Sequence, residues 1–235
     1  MNLKYIFTSF LFLFYTPIIL SYENNIAKTA VNLSQASYCI HDYSWNCKTC
    51  DKDNTLEYIV ENHGVRALIG YNTRYSNIFV AFRGSENILN WVDNIQIVQI
   101  SPYYNNTIKV DKGFYKAYEY LKNELINKIK KITQKYNTKN IFLTGHSLGA
   151  AIATLLSYDI LNYYDYLHLS HLITFGSPRV GNKYFVESFK KFNLNHYRIT
   201  HNNDIVPHLP EEFFYYLHVP NEIWYDELNI KYTIC

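Results

Sequence analysis

The chain has 235 residues, 48% of them hydrophobic and 18% charged, with 8 Gly and 6 Pro, a mixture that fits one large globular domain and argues against disorder. Lys and Arg total 22 against 20 for Asp and Glu, a formal charge of +2, so no basic field argues for nucleic-acid binding. Function must therefore come from a local site.

Lys4 precedes an apolar run from Tyr5 to Tyr15, followed by Thr16, Pro17, a second run from Ile18 to Leu20, and Ser21. This is the layout of a secretory signal peptide over residues 1–21. The run is broken by Thr8, Ser9, Thr16 and Pro17, and it falls short of the roughly 20 residues that span a bilayer, so cleavage is expected rather than anchoring. Ser21 suits a cleavage site, whereas Ile19 fits a small-x-small pattern poorly. Export, to the extracellular space or the lumen of the secretory pathway, would set an oxidising context. There the even set Cys39, Cys47, Cys50 and Cys235 suggests two bridges, in any of three connectivities. Cys47-Lys-Thr-Cys50 also has the form of half a zinc site, but no second CxxC or HxxxH follows at finger spacing, which favours a disulfide over a metal. Asn32-Leu-Ser34 and Asn105-Asn-Thr107 are glycosylation sequons, usable only on an exported chain.

Residues 22–235 carry no repeat, Pro-rich linker or like-charge block and read as one domain, expected to act as a monomer. Glu23 to Tyr38 places Ile26, Ala30, Leu33 and Ser37 on one helical face. Leu56 to Val60, Val65 to Tyr71 and Ile78 to Phe82 are short β-branched and aromatic runs between turn residues, and predict three successive strands. Ile88, Leu89, Trp91, Val92 and Ile95 then describe a short amphipathic helix, whose commonest use is packing on a core. From Gly113 to Tyr136, Phe114, Ala117, Leu121, Leu125, Ile129 and Ile132 form the stripe of a long helix. Ile141 to Thr144 (strand), Leu148 to Leu161 (helix), Leu172 to Phe175 (strand), Gly181 to Lys191 (helix) and His196 to Thr200 (strand) complete the order. Strand and helix alternating at this spacing predicts an α/β fold with a mostly parallel sheet covered on both faces.

Gly145-His-Ser147-Leu-Gly149 lies where a strand passes into a helix. A serine on such a turn is held in a strained backbone conformation with its hydroxyl exposed above the sheet, and flanking glycines let strand and helix approach. The helix N-terminus favours developing negative charge. His146 leaves the turn in another direction and is assigned a structural role.

Phe82-Arg-Gly-Ser85, Asn90-Trp91, Gly113-Phe-Tyr115, the serine turn, Thr174-Phe-Gly-Ser-Pro-Arg-Val-Gly-Asn182 and Asn203-Asp-Ile-Val-Pro207 run in order between about Ala36 and Trp224. In this combination they strongly resemble the secreted class 3, or fungal-type, triacylglycerol lipases. The resemblance implies an α/β-hydrolase-type fold, hydrolysis of carboxylic esters, and no metal or other cofactor. By the same resemblance Ser147 is the nucleophile and Asp204 the triad acid, while Ser85 and the N–H of Leu148 hold the oxyanion. The helix with Ile88, Leu89, Trp91 and Val92 then corresponds to a lid that turns its apolar face to lipid. Cys47 and Cys50 resemble a local bridge of fungal members, and Cys39 resembles a cysteine that pairs near the C-terminus, which leaves Cys235 as its partner or without one.

The base is the difficulty, because a serine hydroxyl needs an imidazole to take its proton and a carboxylate to orient that imidazole. After Asp204 stand only His208, pinned between prolines in Val206-Pro-His-Leu-Pro210, and His218. His218 has the correct order for a triad but resembles a non-catalytic histidine of the family, whose own triad histidine follows some tens of residues later. The chain stops at Cys235. C-terminal truncation, loss of the base, and substitution by His218 compete as explanations. The expected function is a secreted serine lipase or esterase acting on lipid esters at a lipid–water interface. The alternative is a catalytically silent lipid-binding or interaction protein on the same scaffold.

Overall fold

The structure, a computed structural model, describes residues 22–87, 97–192, 194–228 and 231–235. The expected signal peptide over 1–21 and the amphipathic segment carrying Ile88, Leu89, Trp91, Val92 and Ile95 lie outside these residues.

Helix α1 (Asn24–Cys39) is followed by strands β1 (Asn54–Asn62), β2 (Val65–Asn72) and β3 (Asn77–Phe82). The short pair β4 (Gln99–Ile100) and β5 (Val110–Asp111) leads into helix α2 (Lys112–Tyr136). Then come β6 (Asn140–His146), α3 (Leu148–Tyr163), β7 (His168–Phe175), α4 (Lys183–Lys190), β8 (Asn195–His201), β9 (Glu222–Tyr225) and β10 (Tyr232–Ile234). The main sheet has the order β1-β2-β3-β6-β7-β8-β9-β10. Its five central strands β3, β6, β7, β8 and β9 run parallel, while β1, β2 and β10 add antiparallel edges. The mostly parallel expectation holds, with the first three strands pairing as successive hairpins.

Strand side chains alternate between faces, and the core divides accordingly. On β3, Ile78, Val80 and Phe82 enter the apolar layer formed with α2, α3 and α4, whereas Phe79 and Ala81 enter a second layer under α1. On β6, Ile141 and Leu143 face the first layer and Phe142 the second. Helix α3 is buried on nearly every side from Gly149 to Ile160, so its sequence shows an apolar run rather than a stripe.

Several elements differ from the sequence expectation at their ends, β7 and α4 among them. Strand β7 begins at His168, four residues before Leu172, because His168–His171 extend its pairing with Asn140–Phe142 across a register shift at Ile141/Phe142. Polar side chains hide such a strand start from a search for apolar runs. Helix α4 begins at Lys183, since Asn182 caps it by accepting Phe185 N–H (3.1 Å) and Gly181 is engaged in bridges to Val110 and Leu217.

Two polar anchors fix helices α1 and α2 to neighbouring segments. Ser34 of α1 shares a 2.8 Å hydrogen bond with Thr144 Oγ1 of β6, both buried. Asp111 caps α2 by accepting Phe114 N–H (3.0 Å) and takes a second hydrogen bond from Tyr216 Oη (2.9 Å). Among the described residues no helix is long and apolar enough to cross a membrane. Asp111→Ala removes the cap and leaves the buried Tyr216 hydroxyl without its acceptor, and is expected to lower unfolding stability by about 2 kcal/mol in urea titrations.

Candidate active site

Ser147 sits at the junction of β6 and α3 with φ 54° and ψ −123°, a conformation that costs a non-glycine residue of order 1–3 kcal/mol. The turn is held on both sides: Ser147 N–H donates to the Phe175 carbonyl on β7 (3.0 Å), and the Ser147 carbonyl accepts from Ala150 N–H (2.9 Å). A Cβ on Gly145 would stand 2.9 Å from the Ala150 nitrogen, and one on Gly149 2.8 Å from the Phe82 carbonyl carbon, so glycine is needed where helix and strands converge. The expected strained turn is present. The hydroxyl, expected to be exposed above the sheet, is instead buried: Ser147 has 0% exposure, and its Oγ has no hydrogen-bond partner among the described residues. The Arg83–Ser85 loop packs over it, with the Cβ position of Gly84 only 3.2 Å from Ser147 Cβ.

That loop is fastened by Arg83, itself buried, which bonds Glu86 (2.8 Å) and the Gly64 carbonyl (2.9 Å) and lies 3.6 Å from Glu61. Ser85 follows, half-buried, at the carboxyl end of β3. Leu148 opens α3, where first-turn N–H groups have no partner within the helix. The two expected oxyanion donors are thus the residues that directly follow Gly84 and Ser147, the pair in contact.

Asp204 lies after β8 in a turn closed by Asp204 N–H to the His201 carbonyl (3.1 Å), and its Oδ1 accepts Val206 N–H (3.0 Å). Its Oδ2 is 2.7 Å from the Cβ position of Gly176, and His146 Nε2 is 3.6 Å from that same point. The Asp204 carboxylate and the His146 ring thus both approach the space that a side chain on Gly176, at φ 51°, would fill. Burial lowers the His146 pKa and the nearby Asp204 charge partly offsets it. Both side chains line a cavity of about 810 Å³ between α1 and the ends of β7 and β8, with Lys28, Phe175 and His201 also in its wall.

For His146, expected to be structural, Nδ1 lies 2.8 Å from Tyr38 Oη, a hydroxyl that also accepts Gly84 N–H (3.0 Å). Sequence reading passed over Tyr38. Its only signal is its position near the end of an amphipathic helix, 108 residues before His146.

His218 donates from Nε2 to the Pro207 carbonyl (2.7 Å), while its Nδ1 is buried with no partner among the described residues. His208 is an exposed residue of the 3-10 turn Val206–His208. All nine histidines fall among the described residues, and none hydrogen-bonds Ser147 Oγ. Cys47 and Cys50 form a disulfide with Cα atoms 5.0 Å apart. Cys39 and Cys235, considered as partners, are both free and exposed thiols. No metal-holding cluster of His, Cys, Asp and Glu occurs among the described residues.

Burial pushes the pKa of His218 down to about 3 and that of His196 to about 4, from an ordinary value of 6.5. Below pH 6.5 the unfolded chain takes up protons that the folded protein refuses, so this contribution to stability is complete above 6.5 and falls as the pH drops toward 4. Unfolding midpoints measured between pH 7.5 and 5 are expected to decline. The slope is expected to flatten in the double variant His196→Gln/His218→Gln.

The class 3 lipase family model matches residues 79–214, which contain the Gly84 loop, the serine turn and Asp204. A lipase from Rhizomucor miehei is 32% identical over 87% of this chain, and secreted mono- and diacylglycerol lipase 1 of Fusarium solani is 31% identical over 86%. The chain spans 59% and 64% of those proteins respectively. Among solved structures, a triacylglycerol lipase described as having a serine-protease triad at its catalytic centre superimposes with a TM-score of 0.79. The match is 31% identical and covers 85% of this chain and 79% of that one. The strained serine turn, the loop packed against it and the matched motifs together place this chain in the class 3 lipase family, with an α/β-hydrolase fold.

Proposed function

We propose that this protein is an exported serine hydrolase that cleaves carboxylic esters of lipids through an acyl-enzyme on Ser147. Ser147 Oγ attacks the ester carbonyl, the Leu148 N–H together with the N–H and hydroxyl of Ser85 receives the oxyanion, and the alcohol leaves. Water then releases the acyl group by the same route in reverse. The scheme requires an imidazole, oriented by Asp204, to carry the Ser147 proton to the departing alcohol, and no histidine of this chain hydrogen-bonds Ser147 Oγ in the structure. The observation that carries this reading is the strained, glycine-flanked Ser147 beside the Gly84–Ser85 loop, a backbone geometry that costs a non-glycine residue free energy.

A lipid substrate is supported by an exposed apolar group. Phe213 and Tyr215 are each 82% exposed, and Phe214 and Leu217 are partly so. Gln99 Nε2 bonds the Phe214 and Tyr215 carbonyls (3.3 Å each), bringing this turn beside exposed Ile97 and Val98. Ile97 and Val98 closely follow in sequence the apolar 88–95 segment, read as a lid over the acyl site through Ile88, Leu89, Trp91 and Val92. Action outside the cell is supported by the apolar leader sequence and by the secreted relative from Fusarium.

A second reading, a catalytically silent lipid-binding protein, is favoured by one observation: Ser147 Oγ has no imidazole partner. A fluorophosphonate probe separates the two. Labelling of the wild-type protein in lipid dispersions, abolished in Ser147→Ala, is the expected result; a folded wild type that stays unlabelled supports the silent scaffold. His218→Ala is expected to leave labelling unchanged, because the His218 Nε2–H is committed to the Pro207 carbonyl.

A further inference from the structure

We propose that the Tyr38 hydroxyl is the positioning group that holds the oxyanion loop against the serine turn, with His146 as its second anchor. The inference rests on the hydrolase reading above and assigns a role within that same site.

Tyr38 belongs to the last turn of α1, on the opposite face of the sheet from α3, yet its hydroxyl reaches both halves of the site. Gly84 N–H donates to Tyr38 Oη (3.0 Å), and Tyr38 Oη lies 2.8 Å from His146 Nδ1. A hydroxyl has one proton. With Gly84 supplying the donor on one side, the Tyr38 O–H is directed at His146 Nδ1, which acts as acceptor and leaves the ring proton on Nε2. Nε2 is the nitrogen on the Gly176 and Asp204 side, where a carboxylate favours a proton. Burial raises the Tyr38 pKa, which keeps the hydroxyl protonated, and lowers that of His146, which keeps the ring neutral and able to accept.

The contact is tight. A Cβ on Gly84 would collide with Tyr38 Oη and come within 2.6 Å of the His146 carbonyl oxygen. Gly84 immediately precedes Ser85, so a shift of this peptide moves the Ser85 donors relative to Ser147. Oxyanion donors act only when held within about 0.5 Å of their working positions. One hydroxyl thus links the residue before the nucleophile to the residue before the donor.

The test uses the full chain and two readouts. Tyr38→Phe keeps the ring and removes the hydroxyl. Its expected effect is a fall of about tenfold in the limiting rate of fluorophosphonate labelling at Ser147, with the half-saturating probe concentration within about twofold of wild type. The second readout needs no catalysis: amide hydrogen exchange at Gly84 should accelerate in Tyr38→Phe while amides of the β6 and β7 cores keep their protection. His146→Leu, which retains the Tyr38–Gly84 bond, should produce a smaller acceleration and serves as the second variant if Tyr38→Phe does not fold. Wild-type labelling rates in Tyr38→Phe, or unaltered Gly84 protection, would overturn the proposal. A wild type that does not label, but whose Gly84 amide loses protection on loss of the hydroxyl, fails the hydrolase reading while upholding the tether.

Discussion

The peptide at Ser147 is the constraint on which the site depends. Its backbone occupies a region that costs a non-glycine residue about 1–3 kcal/mol. One hydrogen bond to the Phe175 carbonyl, at about 1 kcal/mol net, does not offset that with any margin. The surplus comes from what the turn makes possible. It launches α3 directly into the sheet, burying Ile152, Leu155 and Leu156 completely, and each such side chain contributes roughly 1.5–3 kcal/mol. Strain at one residue is held in place by the packing of a whole helix, and the same helix presents its N-terminus to Ser147.

Around that turn, three chain segments distant in sequence are brought to one place by the parallel order of β3, β6, β7 and β8. Parallel strands end on the same edge, so the loops after β3, β6 and β8 deliver Ser85, Ser147 and Asp204 there together. Helix α1 lies under the sheet and yet takes part, through Ser34 on Thr144 and through Tyr38 on Gly84 and His146. It helps set the geometry of the site as well as covering a hydrophobic face.

The electrostatics of the edge are arranged by burial. His146 and His218 are both held neutral by desolvation, but differ in what they face: His146 looks toward the Asp204 carboxylate and the large cavity, whereas His218 is turned to the Pro207 carbonyl. Asp204 receives one backbone donor, and its second oxygen sits beside Gly176 at the cavity wall.

The elements that the amino-acid sequence determined by itself are those whose signal is local. The stripe from Phe114 to Ile132 made α2 legible, the β-branched runs made β1, β2 and β3 legible, and Gly145-x-Ser147-x-Gly149 announced a nucleophile turn, because helix period, strand propensity and glycine tolerance act over a few residues. The polar start of β7 and the short β9 and β10 carried no such pattern, and pairing with neighbours decided them. Tertiary structure alone decided that the Ser147 hydroxyl is buried, that Cys39 and Cys235 stay apart as free thiols, that His218 turns to a carbonyl, and that Tyr38 reaches Gly84. These outcomes depend on how segments from eleven to more than a hundred residues apart are placed, and no local rule of spacing encodes where such segments meet.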